Sequence, residues 1–272
     1  MKNHTPEKGP QGFFESENES LYFESYGEGE PLILCHGLGG NHAIWYQQVP
    51  ALARHYRVVT WDQRGFARSS NRSAKAGPGA AVKDLKALLD HLKIESAHLI
   101  GQSMGGWAVL GFALDAPERT QSLVLADTIA GIYTPSIAAS FDAALKARPS
   151  PSDLPFGRHP AIDLQLTHKN LAQAFLESQI GSIAEPVPAE MLTLLRNTAY
   201  SLDSVGKLDT QTLFIVGSND PYFSPVAVRE AAGLFRNASV EEIPDTGHSP
   251  YFETPALWNA AILKFLQKPH ID

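Results

Sequence analysis

A serine hydroxyl attacks a carbonyl only when a base takes its proton, and that base needs an acid to fix its tautomer and stabilise the cation that forms. This chain offers such groups at three widely spaced places. Ser103 lies in Gly101-Gln102-Ser103-Met104-Gly105, after the apolar run 97–100 and before the apolar stretch 106–114. The first reads as a buried strand and the second as a helix. A serine on so sharp a strand-to-helix turn has a strained backbone, and small neighbours are needed where strand and helix approach each other. The turn lifts the hydroxyl out of the sheet, and the helix N-terminus behind it favours negative charge. Asp220, in Gly217-Ser218-Asn219-Asp220-Pro221, directly follows an apolar run ending at Val216, and His248 sits in Thr246-Gly247-His248-Ser249-Pro250. Asp127, after the run ending at Ala126, competes with Asp220 for the role of acid. Asn-Asp-Pro is also ordinary turn chemistry.

These residues need a scaffold that gathers them. Short, continuous apolar runs at 32–35, 57–61, 97–100, 122–126 and 212–216 are expected of strands covered on both faces. The run 239–243 is weaker and suits an edge, and 12–17 with 21–26 reads as a hairpin. Between them Ala81, Val82, Leu85, Leu88, Leu89 and Leu92 recur at helical spacing, and Pro225 and Pro255 each open a helix, where a missing N–H costs nothing. Alternating buried strands and helices predict an α/β fold, with a mostly parallel eight-stranded sheet and helices on both faces. Such sheets collect their functional groups beyond the carboxyl ends of the strands. The stretch 129–202 breaks the rhythm with seven prolines and short amphipathic segments. Ile137, Phe141 and Leu145 share one face, then Leu171, Phe175 and Ile180, then Met191, Leu192 and Leu195. It is expected to be a helical cap inserted into a core of residues 12–128 and 203–267, with residues 1–11 a loose tail.

The 272 residues carry a net charge of −7, 43% hydrophobic and 19% charged residues, and a single cysteine. Negative balance without any basic run argues against nucleic acid or an anionic membrane as partner. One cysteine excludes an internal disulfide and a cysteine-based metal site, and Cys35 itself reads as a small buried hydrophobe. No metal-binding histidine spacing is present. The polar N-terminus and the lack of a long apolar run lead us to expect a cytoplasmic protein, monomer or homodimer.

Four elements together resemble the α/β-hydrolase superfamily, over about residues 12–267. They are His36-Gly37-Leu38-Gly39-Gly40, the run Asp62-Gln63-Arg64-Gly65-Phe66-Ala67-Arg68-Ser69, the turn around Ser103, and Gly247-His248 with Glu253 and Pro255. Ala67 stands where the family usually has glycine. The resemblance is to the lid-bearing group of small esterases, enol-lactonases, cofactor-free haloperoxidases and carbon–carbon bond hydrolases. It implies a fold in which Ser103, Asp220 and His248 form a triad, in that chain order. It also implies that the backbone N–H groups of Leu38 and Met104 form an oxyanion hole, and that neither metal nor organic cofactor takes part.

The expected substrate is a small-molecule ester or lactone of small to medium size, with Trp45, Trp107 and Tyr133 shaping its pocket. His42, His159 and His168 are further pocket candidates. His36, Asp62 and Arg64 are expected to brace loops, and His98 to sit satisfied in the core. Serine at 103 sets the chain apart from dehalogenases and epoxide hydrolases of this fold, which place aspartate there. A carbon–carbon bond hydrolase with the same triad, peroxide perhydrolysis as a side activity, and a slow ligand sensor remain as alternatives.

Overall fold

The computed structural model describes residues 6–147, 162–163, 170–183 and 190–267. Its strands are β1 (Lys8–Ser16), β2 (Glu19–Tyr26), β3 (Pro31–Cys35), β4 (Arg57–Trp61), β5 (Ala97–Gln102), β6 (Thr120–Ala126), β7 (Thr212–Gly217) and β8 (Ala238–Ile243). They form one sheet in the order β1-β2-β4-β3-β5-β6-β7-β8. β1 and β2 pair antiparallel, as do β2 and β4, and every other pair is parallel. The parallel strands are apolar throughout because both faces are covered. In β3, Ile33 and Cys35 join one core layer while Leu32 and Leu34 join the other, as the two-residue period of a strand requires. Helices Pro78–His91 and Gly105–Asp115 cover the first face, and helix Pro255–Leu266 covers the second.

The hairpin is longer than its apolar pattern. β1 starts at Lys8 rather than Gly12, so residues 8–11 belong to the sheet and not to a tail. Edge pairing with β2 supplies the order that their polar side chains do not advertise. Its turn uses Glu17 and Asn18, both at positive φ (48° and 67°), the geometry that matches strand twist in a two-residue hairpin. β5 also runs further than its apolar stretch, to Gln102, which brings the sheet to the edge of Ser103.

Between β6 and β7 the described residues form helices Pro135–Ala147, Leu171–Ser182, Met191–Asn197 and Leu202–Lys207, with no strand among them. Ile137 and Phe141 are buried in the first helix, and Met191 and Leu195 in the third, on the faces their spacing predicts. The helix Leu171–Ser182 differs. Its buried residues are Ala174, Glu177 and Ile180, while Leu171 and Phe175 are exposed. These helices are tied to the sheet layers by polar contacts. The Trp107 indole N–H donates to the Thr198 carbonyl (3.0 Å), the Tyr200 hydroxyl to the Trp107 carbonyl (2.7 Å), and the Asn41 side chain to the Ile180 carbonyl (2.8 Å).

Candidate active site

Ser103 sits between β5 and helix Gly105–Asp115 with φ of +48°, a left-handed conformation rare for a residue with a side chain. The turn is possible because its neighbours are glycines. A Cβ at Gly101 would lie 2.4 Å from the Gly105 carbonyl oxygen, and one at Gly105 would lie 2.2 Å from the Cys35 carbonyl oxygen. The Ser103 N–H donates to the Ala126 carbonyl at 2.9 Å, so β6 holds the strained residue in place.

His248 faces the same cavity as Ser103. Its Nδ1 lies 2.8 Å from Asp220 Oδ2, which makes Nδ1–H the donor and, in the neutral ring, assigns the lone pair to Nε2. Asp220 Oδ1 accepts the N–H groups of Tyr222 (2.8 Å) and Phe223 (3.0 Å), so the Asp220-Pro221 turn aims the other oxygen at the imidazole. The rings of Tyr222 and Phe223 pack on the imidazole, with centroids 4.9 and 5.6 Å away. Two further contacts fix the histidine loop. The Gln102 amide donates to the His248 carbonyl at 3.0 Å, and the Glu253 carboxyl accepts the N–H groups of Gly247 and Ser249. No hydrogen bond joins the Ser103 hydroxyl to the imidazole in this structure. Such contacts commonly tighten only when substrate is bound.

Leu38 lines the cavity, in a loop that abuts Ser103: a Cβ at Gly37 would come within 3.1 Å of Ser103 Cβ. Met104 follows Ser103 at the head of the helix, with its side chain buried. Neither backbone N–H donates a hydrogen bond among the described residues. The Leu38 loop is braced by His36, which is fully buried. Its Nδ1–H donates to the Gly37 carbonyl (2.8 Å) and its Nε2 accepts the Gln63 N–H (3.0 Å). Burial pushes its proton affinity down, which keeps it neutral for both bonds. Asp62 accepts the N–H groups of His42 (2.7 Å) and Arg68 (3.2 Å), and Arg64 pairs with Asp84 at 2.6 Å. Ala67, where glycine is usual, has φ of +44°. All of these are loop braces away from the cavity wall, as the sequence suggests. His98 is buried with its Nδ1 2.8 Å from the Ser122 hydroxyl.

The cavity has a volume of about 370 Å³. Trp107 lines it, but Trp45 and Tyr133 do not. Trp45 is fully buried against Tyr251 and Trp258, with centroids 5.0 and 6.1 Å away. The short 3-10 helix His42–Trp45 turns its neighbour Ile44 to the cavity instead. Tyr133 stands one layer back. Its ring stacks on Phe141, which does line the wall, and its hydroxyl donates to the Leu195 carbonyl at 3.1 Å. His42 is held by Asp62 off the cavity, and His159 and His168 lie outside the described residues.

One acid of the cavity wall gave no sign of itself in the sequence. Glu177, from the inserted helix Leu171–Ser182, reaches the cavity wall beside Gly181 and Tyr251. Burial, with the nearby Glu253 charge, pushes its carboxyl up to about 8. Glu253 is itself pushed up to about 7 by burial, against the backbone N–H groups it accepts. A glutamate on an amphipathic helix reads as a solvent-facing residue, so spacing alone points it the wrong way.

Residues 30–255 match the model of the alpha/beta hydrolase fold family, and the chain belongs to that family. Among curated relatives, "Putative carbamate hydrolase RutD" of Caulobacter vibrioides is 27% identical over 263 residues, spanning 92% of this chain and 96% of its own. Among solved structures, a thermophilic esterase from Thermogutta terrifontis with malate bound is 26% identical with a TM-score of 0.79, covering 97% of this chain and 100% of that one. The enol-lactonase from Burkholderia xenovorans LB400 shares the fold at a TM-score of 0.74, with 24% identity over 95% of this chain and 100% of its own. Among the described residues, no helix is long and apolar enough to cross a membrane.

Proposed function

We propose that this protein is a serine hydrolase that cleaves small to medium carboxylic esters or lactones through an acyl-enzyme. One observation carries the reading. Ser103 at its strained turn and His248, oriented by Asp220 at 2.8 Å, wall the same cavity although 145 residues separate them in the chain. Ser103 Oγ attacks the carbonyl carbon and His248 Nε2 takes its proton. Asp220 stabilises the imidazolium, and the N–H groups of Leu38 and Met104 hold the oxygen as it becomes negative. The proton then passes to the leaving alcohol, and water activated by His248 releases the acid. The apolar lining, with Ile44, Trp107, Phe141, Leu145 and Leu192, suits an acyl chain of modest size. Overall similarity to an esterase supports ester chemistry, and a carbamate, which presents the same carbonyl to the nucleophile, belongs on the same substrate panel.

The test is a panel of p-nitrophenyl esters graded by acyl length, with lactones and carbamates added. Multiple turnovers above about 1 s⁻¹ on one of them are expected. Ser103→Ala is expected to lower kcat by about 10⁴–10⁶. Activity within tenfold of wild type in that variant would refute the assignment, and a single round of Ser103 acylation without turnover would mark a ligand sensor instead.

A further inference from the structure

Asp127 carries a carboxyl to which the mechanism above gives no task. It follows β6 directly, is fully buried, and has φ of +49°. Its Oδ1 accepts the Gly217 N–H at 2.9 Å, at the end of the strand that leads to Asp220. Its Oδ2 has no hydrogen-bond partner among the described residues. Side-chain N or O atoms of Asp127, Asp220 and His248 all lie within 4.8 Å of one another.

Two carboxylates so close in a buried site cannot both carry charge. Asp220 is built to keep it, with two backbone N–H groups on one oxygen and the imidazole on the other. Asp127 accepts a single N–H. Burial and then the charge of Asp220 raise its proton affinity well above the usual carboxylate range, and Glu253 pushes the same way. The pair therefore holds one negative charge on Asp220 and one proton on Asp127.

We propose that Asp127 is a reserve acid for His248, a positioning residue that takes over the imidazole when Asp220 is lost. The role rests on the serine mechanism above. Removing Asp220 takes away the neighbouring charge, though not the burial, that raises the proton affinity of Asp127, and it vacates Nδ1 of the imidazole. A carboxyl oxygen of Asp127 lies within 4.8 Å of an imidazole nitrogen, and the cation that forms on His248 during catalysis then favours its charged form.

The experiment compares wild type, Asp220→Ala, Asp127→Asn and the double variant by kcat/KM against pH on the best p-nitrophenyl ester. Loss of the acid partner in a worked serine protease costs about 10⁴ in kcat. Here Asp220→Ala is expected to fall by only about 10²-fold and the double variant by about 10⁴-fold. Asp127→Asn alone, whose amide oxygen still accepts the Gly217 N–H, should stay within about threefold of wild type. The acid limb of the pH profile should differ between Asp220→Ala and the double variant, a change that a purely structural residue would not produce. Equal activity and equal profiles in those two proteins overturn the proposal, as does an Asp127→Asn penalty of the same size in both backgrounds. If the alanine variants do not fold, Asp220→Ser, whose hydroxyl can still accept an N–H of the turn but is too short to reach the imidazole, replaces them in the same comparison. Adding Ser103→Ala to Asp220→Ala should abolish the residual turnover. Turnover that survives it overturns the serine mechanism and the reserve acid together, whereas equality of the two Asp220 variants overturns the reserve acid alone.

Discussion

The floor and the roof of the cavity are built by different means. The floor is made of chain turns at the carboxyl ends of β3, β5, β7 and β8, and its side chains are aimed by backbone geometry. Ser103 is held by its N–H bond to Ala126, Asp220 by two N–H groups of its own turn, and His248 by Gln102 and Glu253. The roof is made of helix faces from the segment between β6 and β7. Phe141, Leu145, Glu177 and Leu192 reach the cavity only because of how those helices pack. A floor of this kind tolerates few substitutions and fixes where the reaction happens. The roof can change residue by residue, and it decides what fits.

That contrast breaks first at Gly105. A Cβ there would meet the Cys35 carbonyl at 2.2 Å, and backbone cannot swing aside as a side chain can. Gly105→Ala is expected to lower kcat by about 10²-fold, the cost of misplacing reacting groups by roughly 1 Å. It should also lower the melting temperature. An enzyme with unchanged kcat would mean that the turn is less constrained than its contacts indicate.

The roof should respond in selectivity instead. Leu145→Ala is expected to leave kcat on a short acyl ester within about threefold. It should shift the preference between short and longer acyl esters by about tenfold, the scale on which hydrophobic pockets discriminate. Kinetics on two esters check this, and a uniform loss on both would blur the distinction between floor and roof.

The smallest effect is expected at Glu177, where the roof carries an acid. Its carboxyl holds its proton up to about 8 in the folded protein, against an ordinary 4.5. The folded state therefore binds that proton more tightly than the unfolded state. Its share of stability is fully present below about 4.5 and is lost as pH rises towards 8. The melting temperature should fall across that range, and Glu177→Gln should flatten part of the fall. Glu253, pushed the same way to about 7, keeps a share of its own. Melts at pH 5 and pH 8 measure the difference, and an equal slope in both proteins would remove Glu177 as its source.

The same division explains what could be read from the chain. Floor residues leave a written trace, because a turn that needs Gly101 and Gly105 constrains residue type at fixed spacing. Apolar runs such as 32–35 declare buried strands for a similar reason. The hairpin's first residues left no trace, since Lys8 to Gln11 are ordered by edge pairing rather than by apolar side chains. In the roof, spacing found the buried faces of Ile137 and Phe141 but pointed Leu171 and Phe175 inward, when Glu177 takes that place. Trp45 and Tyr133 failed as pocket residues because aromatic character says that a side chain packs, not against what. Ile44 and Phe141 occupy the wall they were expected to share.

Cys35 has a practical consequence. The thiol is fully buried beneath the Trp61 indole, and burial pushes its proton affinity up to about 12. The native chain is therefore blind to maleimides. A cysteine introduced at exposed Leu171 would be its sole reactive handle, and a fluorophore attached there would report whether the inserted helices move when a ligand enters.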